Sequence, residues 1–185
     1  MRRQGAVRLL IGSTVVAFLA AGAIGVARAP LAITSGRVTL AGTSNIHAYT
    51  ASTTKVLVTG TVDAFVITIP AATLASPKGD IDKNMLKALK ADQCPDITFR
   101  LIRFDSKPDA GSNRAIGVLK IAGVEKEVAL LITTKRTDAT LTVQGSLDLL
   151  MTDYGITPPK AMMGMLKTDP KVTVTFETVL AIPLT

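Results

Sequence analysis

The side chains best suited to chemistry are scarce in this sequence, in which His47 is the single histidine and Cys94 the single cysteine. A Ser-His-Asp triad would depend on His47, and a metal site could recruit only one imidazole. No H-x-x-x-H, C-x-x-C, Walker or glycine-rich phosphate motif accompanies these residues. Cys94 can form no internal disulfide, and before Pro95 it is interpreted as a small, half-buried apolar residue. We therefore predict no catalytic residue, no metal ligand and no cofactor, and we interpret His47 as a strand residue with local hydrogen bonds.

The carboxylates do not form an evident pair for acid–base catalysis. Asp80 and Asp82 open a segment with helical character, and Asp153 and Asp169 lie in turns, where carboxylates commonly bond to the backbone. Acid–base catalysis needs two carboxyl groups in distinct environments, and this spacing indicates none. The sequence thus favours a protein that is not an enzyme. Catalysis on a hydrophobic envelope substrate through His47 or Asp153 stays open as an alternative.

Methionines are concentrated in one irregular segment, DYGITPPKAMMGMLKTDPKVTVTF, which spans residues 153–176. Met162, Met163 and Met165 are half of the six methionines of the chain, and they follow two adjacent prolines that prevent a regular strand. Flexible thioether side chains fill irregular gaps and adapt to apolar partners of variable shape. The segment therefore either plugs a core or borders a cavity, and composition leaves both alternatives open.

The elements that must position these residues are mainly strands. From residue 35 onward apolar and polar residues alternate with a period of two, which is typical of antiparallel strands with one face in the core. In ITFRLIRF, for example, Ile97, Phe99 and Leu101 share one face. Turn signals such as PDAGSNR and AGVEK separate successive strands. About eight or nine strands with hairpin spacing favour an up-and-down barrel.

One segment, DIDKNMLKALKAD, predicts a short helix instead of a strand. It is rich in helix-forming residues, and Met85, Leu86 and Leu89 are spaced so that they share a face. Either Asp80 or Asp82 is expected to cap the first turn. The helix must end before the proline that follows the segment.

The first 29 residues predict an export signal. Three arginines precede a long apolar run, LLIGSTVVAFLAAGAIGV, which ends near the small-residue pattern Ala27-Arg28-Ala29. The protein is therefore expected in the periplasm or secreted, with an uncleaved membrane anchor as the alternative. Removing the four arginines of this segment from the 21 Lys and Arg residues leaves 17, against 14 Asp and Glu, a net charge of +3. That balance argues against nucleic acid as a partner.

Several stretches of the sequence resemble, in order, the signature segments of the YceI-like family. They are GTSNIHAYTAS, DIDKNMLKALKADQCPDITFRL, GVLKIAGVEKEVAL, VQGSLDLLMTDYGITPPKAMMGMLKT and KVTVTFETVLA. The resemblance implies an all-β, eight-stranded antiparallel lipocalin-like barrel with one short inserted helix, formed by residues 35–183 after the N-terminal signal segment. It also implies an elongated apolar cavity that holds polyisoprenoid or related long-chain lipids.

By that resemblance, the expected function is that of a non-enzymatic protein that sequesters or carries a long-chain isoprenoid or fatty-acid-like lipid. The methionine segment would lie at the barrel wall and mouth, and transient contact with a membrane stays open. The residues predicted to line or rim the cavity are Phe99, Leu101, Met151, Ile156, Met162, Met163, Met165 and Leu166, with Tyr49 and His47 as polar contacts. Alternation defines two strand faces without saying which is inside. An envelope interaction module with a filled core and no lipid ligand is the alternative.

The sequence departs from the family pattern at two positions. Tyr49 stands where this branch usually carries a tryptophan after the histidine, and Cys94 stands where an aromatic residue usually precedes the proline. Both changes reduce side-chain volume. They bear on the size of the cavity, and therefore on the ligand, more than on the fold.

Overall fold

The structure, a computed structural model, describes residues 30–106, 111–137, 139–161, 163 and 165–181. The predicted export signal and Met162 lie outside the described residues. The strands are β1 (Ala32–Ser44), β2 (Ala48–Thr53), β3 (Leu57–Thr61), β4 (Ala64–Pro70), β5 (Asp96–Phe104), β6 (Gly111–Ile121), β7 (Val124–Arg136), β8 (Thr140–Leu150), β9 (Lys160–Ala161) and β10 (Leu166–Ala181). The helix α1 spans Asp82–Ala88, and two short 3₁₀ helices span Ala71–Thr73 and Met151–Tyr154. The structure is therefore an antiparallel all-β fold with one short α-helix.

The strands form one curled sheet with the order β2-β1-β10-β8-β7-β6-β5-β4-β3, and the two-residue β9 pairs with β10 beside this path. Most neighbours are consecutive hairpins, as predicted, while β1 and β10 are brought together from opposite ends of the chain. The edge strand β3 returns to the start of β1, where the backbone N–H of Leu31 donates to the carbonyl of Gly60 at 2.9 Å. The all-β prediction is confirmed, and the strand count is higher than eight.

Local backbone hydrogen bonds separate β2 from β3. The backbone N–H of Lys55 donates to the hydroxyl of Thr53 at 3.0 Å, and the N–H of Val56 donates to the carbonyl of Thr54 at 3.2 Å. Such short-range bonds take backbone groups away from a ladder. The ladder is therefore interrupted between β2 and β3.

The helix α1 was predicted correctly in place, but its predicted cap was wrong. Ile81 occupies the N-cap position, and neither Asp80 nor Asp82 caps the first turn. Asp82 Oδ1 instead accepts a hydrogen bond from the backbone N–H of Ser76 at 2.7 Å. The carboxylate therefore fixes the loop that precedes the helix. Met85 is the buried residue of the helix.

The hairpin between β6 and β7 has a two-residue loop, Ala122-Gly123, in which both residues adopt positive φ angles of 50° and 86°. This conformation matches the twist of the flanking strands in tight hairpins and favours glycine. Cys94 lies over this loop: a Cβ added to Gly123 would be 3.1 Å from the Cys94 Sγ. Cys94 is half-buried, as predicted, and it forms no disulfide.

Candidate ligand-binding cavity

The concave face of the sheet encloses an apolar cavity of about 390 Å³. Its volume lies in the range of about 300–1,000 Å³ that is usual for small-molecule sites. Nearly all of the wall is apolar, because alternate residues of the strands point inward. The wall includes Val38 and Leu40 of β1, Ile97 and Phe99 of β5, Leu147 and Leu149 of β8, and Val172, Val174 and Phe176 of β10.

The helix α1 covers one side of this cavity. Ile81, Met85, Ala88 and Leu89 line the cavity, and their spacing of four, three and one residues places them on one helical face. Met85 also packs with buried Ala51 and Leu74, which ties the helix to the sheet. The helix therefore acts as part of the wall, with its lysines directed to solvent.

Polar side chains border the cavity at the end where β1 finishes and β10 begins. They are Ser44, His47, Asp80, Asn84, Lys160 and Thr168. We call this end the mouth. An apolar interior with a polar rim suits an amphiphile whose tail is buried while its head stays near water.

His47 lies at the mouth in the turn between β1 and β2, so its interpretation as a strand residue was wrong. The backbone N–H and the hydroxyl of Ser44 both donate to the carbonyl of His47, at 2.9 and 2.8 Å. The backbone N–H of His47 returns a bond to Ser44 Oγ at 3.1 Å. These local bonds fix the turn, and the residue itself is exposed.

The two tyrosines of the chain line the same cavity. Each hydroxyl is buried with no hydrogen-bond partner among the described residues. Burial raises the pKa of Tyr49, with a smaller contribution from Asp169, and burial raises the pKa of Tyr154, with a smaller contribution from Asp153. Both phenols therefore stay protonated and neutral well above neutral pH.

Six of the residues predicted to contact a ligand line the cavity. They are His47, Tyr49, Phe99, Met151, Ile156 and Leu166. Leu101 does not line it, although it shares the inward face of β5 with Phe99. It is packed with Ala115 and Ile132 in a buried cluster beyond the cavity.

The prediction for the methionine segment needs correction. Met163 is fully exposed and Met165 is 67% exposed, and neither lines the cavity. Met163 has a φ of 54°, and the carbonyl of Met165 accepts a hydrogen bond from Asn45 Nδ2 at 2.8 Å. The segment borders the mouth through Pro159, Lys160 and Leu166 instead. Proline and backbone bonding to the turn after β1 set its path, which turns these two described thioethers outward.

Apart from Leu166, the helix face and the inward residues of β1, β8 and β10 were not among the residues predicted for the site. The signal for the helix face was present in the spacing of Ile81, Met85 and Leu89. The signal for the strands was their alternation, which separates Val172, Val174 and Phe176 from the polar residues between them. Alternation does not state which face is concave.

Metal and membrane signals are absent from the part of the chain that the structure describes. Its His, Cys, Asp and Glu residues form no cluster of three or more that could hold a metal ion. Within the same residues, no helix combines the length and apolar character needed to cross a membrane.

Comparison with known proteins gives one family match. The model of the YceI-like domain matches residues 24–180. No curated protein matched the chain.

Solved structures with the same fold are distant in sequence. BcnA of Burkholderia cenocepacia is 16% identical with a TM-score of 0.67, and the match covers 78% of this chain and 95% of BcnA. A polyisoprenoid binding domain from Saccharophagus degradans, implicated in plant cell wall breakdown, is 14% identical with a TM-score of 0.66, covering 83% of this chain and 98% of that one. The YCEI protein of Campylobacter jejuni is 15% identical with a TM-score of 0.56, covering 70% and 81%. At these identities the similarity shows a shared fold.

Proposed function

Because the chain belongs to the YceI-like family, we propose that it is a non-enzymatic binding protein that sequesters or carries a polyisoprenoid or other long-chain amphiphile inside an up-and-down barrel. The observation that carries this proposal is the apolar cavity of about 390 Å³ with a polar mouth. The similar fold of a polyisoprenoid binding domain supports the same ligand class. Export to the periplasm or beyond belongs to the proposal, on the strength of the first 29 residues of the sequence.

Burial of the tail supplies the driving force. Each methylene moved from water into the cavity contributes about 0.8 kcal/mol, so ten contribute about 8 kcal/mol before the cost of association. That free energy corresponds to a dissociation constant on the order of micromolar. Since apolar contact is not directional, selectivity for the tail would come from cavity shape and selectivity for the head from the mouth.

The alternative of an interaction module with a filled core is disfavoured by the same cavity. A solid core would bring the side chains of β1, β8 and β10 into contact across the interior, whereas residues from all three strands face open space. Protein interiors contain few voids larger than a water molecule. A volume of this size therefore argues for an occupant.

The first test is to identify the lipid that the protein carries. Protein purified from its native source is extracted with organic solvent and the extract is analysed by mass spectrometry. We expect the extract to contain an amphiphile in a stoichiometric amount relative to the protein. Incubation of this amphiphile with the protein should leave its mass unchanged. Absence of any lipid, with no thermal shift on addition of prenyl alcohols, would favour the filled-core alternative, and a product of new mass would contradict the non-enzymatic part.

A pair of variants on β10 tests whether the cavity is the binding site. Val174→Phe places an aromatic ring in the cavity, whereas Thr175→Phe places the same ring on the exposed face of the same strand. We expect the first to weaken lipid binding at least tenfold and the second to leave it unchanged. Equal affinity of the two variants would show that the lipid binds elsewhere.

N-terminal sequencing tests the proposed export. Protein recovered from the native host is expected to begin near residue 30. An intact Met1 would contradict cleavage and favour the membrane-tethered alternative.

A further inference from the structure

The interior of the curled sheet is divided by two phenylalanines, and we infer that this partition limits the length of the tail that the protein binds. The phenylalanine partition consists of Phe99 on β5 and Phe176 on β10. The inference rests on the proposed function, because it concerns which member of the ligand class fits the cavity.

A second, smaller cavity of about 80 Å³ lies beyond the partition. It is also almost entirely apolar, with Leu31, Phe104 and Leu141 among its lining residues. Five residues line both cavities, and Phe99 and Phe176 have the largest side chains among them, so their rings lie between the two spaces. The other three are Ile67, Leu130 and Thr178. The interior is thus one apolar channel that two aromatic side chains interrupt.

Phe99 is held in place by the backbone of the neighbouring strand β6 and by the ring of Phe65. A Cβ added to Gly117 of β6 would lie 2.5 Å from Phe99 Cζ and 2.6 Å from Cε2, so the tip of the ring rests on the glycine backbone. The ring of Phe65 supports Phe99 from the far side at a centroid distance of 6.3 Å. Phe99 is only 6% exposed. The ring therefore has little freedom to swing out of the channel.

Phe176 also packs against a glycine of a neighbouring strand, on the opposite side of the interior. It pairs directly with Gly145 of β8. A Cβ at Gly145 would lie 2.5 Å from Phe176 Cζ and 2.7 Å from the carbonyl oxygen of Leu131. Two glycines on two different strands thus make room for two aromatic rings at one level of the channel. Aromatic residues often pack over cross-strand glycines, but here both rings face the cavity.

The level of the partition sets the depth available to a tail. Val38 of β1 pairs with Phe176, and Ser44 of β1 lies at the mouth. Six residues rise about 20 Å along a strand, or about 15 Å along the axis at a tilt near 40°. An extended alkyl chain advances about 1.25 Å per carbon when its C–C bonds are about 1.5 Å long. A tail of about 12 carbons would therefore reach the partition, and the rest of a longer tail would remain at the mouth.

The test measures affinity against tail length by calorimetry. Octanoate, dodecanoate, hexadecanoate and eicosanoate are titrated below their micelle concentrations into the wild type, the single variants Phe99→Ala and Phe176→Ala, and the control Phe104→Ala. The control also replaces a phenylalanine by alanine, but this phenylalanine lines the smaller cavity and does not belong to the phenylalanine partition. It therefore reports the general effect of a weaker core.

For the wild type and for Phe104→Ala, we expect affinity to rise up to about 12 carbons, by about fourfold per methylene, and then to level off. In the two partition variants the rise should continue to hexadecanoate, with at least a tenfold gain over dodecanoate.

Two outcomes would overturn the inference while leaving the proposed function intact. One is a wild type whose affinity keeps rising from dodecanoate to eicosanoate, a result that needs no variant to fold. The other is a plateau at the same length in the wild type and both partition variants. Failure of the wild type to bind any of the four probes, or prenyl alcohols of the same lengths, would overturn both the inference and the proposed function.

Discussion

The phenol of Tyr49 lies directly over Gly42, its partner across the β1–β2 ladder. A Cβ at Gly42 would collide with the Tyr49 ring and its hydroxyl oxygen. The neighbouring Thr43 hydroxyl donates to Asp169 Oδ2 at 2.5 Å, which joins this part of β1 to β10. The position of the Tyr49 ring therefore depends on the absence of a side chain at Gly42 of the neighbouring strand β1.

Gly42→Ala should destabilise the fold by displacing this ring. We expect a loss of about 1–3 kcal/mol in the free energy of unfolding, the usual effect of overpacking, measured by urea denaturation. A double-mutant cycle with Tyr49→Ala supplies the control, because removal of the ring should abolish most of the penalty. Additive effects of the two substitutions would contradict the proposed clash.

The two buried phenols should make stability fall at high pH. Burial raises the pKa of both Tyr49 and Tyr154 above the ordinary value of about 10. Below that value both folded and unfolded states are protonated. Between the ordinary and the raised pKa the unfolded state loses its proton first, so the free energy of unfolding falls as the pH rises.

Ultraviolet titration of tyrosinate measures this effect directly, because the chain has two tyrosines and no tryptophan. The native protein should titrate at higher pH than the protein in denaturant. Tyr154→Phe leaves one native transition, which assigns the two groups. Identical titration curves for native and denatured protein would contradict the shift.

Alanine substitutions at two glycines with positive φ can distinguish the cost of backbone strain from the cost of a side-chain clash. Gly111 has a φ of 98° and open space where a Cβ would be added, whereas Gly123 has a φ of 86° and faces Cys94. Gly111→Ala should cost about 1–2 kcal/mol of stability from strain. Gly123→Ala should cost more, and Cys94→Ala should recover the difference. Equal losses at the two positions in thermal denaturation would exclude a contribution from Cys94.

Charge at the mouth should select the head group. Lys160 is exposed and lines the cavity, so Lys160→Glu should weaken binding of an anionic amphiphile such as dodecanoate by about fivefold at low salt, on the scale of about 1 kcal/mol for surface charges. Dodecanol should bind equally to both proteins. Lys135→Glu, on the exposed face of β7, makes the same change in net charge away from the mouth. An equal loss of dodecanoate affinity in both variants would indicate an effect of the net charge of the protein instead of a local contact at the mouth.

Much of the fold could be predicted from the sequence because its alternation is regular. The inward face of β10 follows from Val172, Val174 and Phe176, and the helix follows from its spacing of apolar residues. The cap of that helix could not be predicted, because Asp82 is occupied by the backbone of Ser76, a partner set by the path of the preceding loop. Local pattern thus defined the elements, and loop geometry determined their ends.

The site was less predictable for a different reason. Phe99 and Leu101 are both apolar and share a face of the same strand, yet one lines the larger cavity and the other is packed beyond it. Their difference is depth along the channel, which depends on where the phenylalanine partition lies. The position of the partition depends on glycines on other strands. The register of those strands cannot be predicted from a local sequence pattern.

The pairing of β1 with β10 has a consequence for how the protein is made. Ala32 and Ala181 are partners in the ladder, so almost the whole chain is synthesised between them. At about 5–20 residues per second, a ribosome needs roughly 7–30 s to bridge that interval. During this time the outer edge of β1 has unpaired backbone groups that can recruit a strand from another molecule. A chaperone that covers this edge until β10 is available for pairing should raise the yield of folded protein.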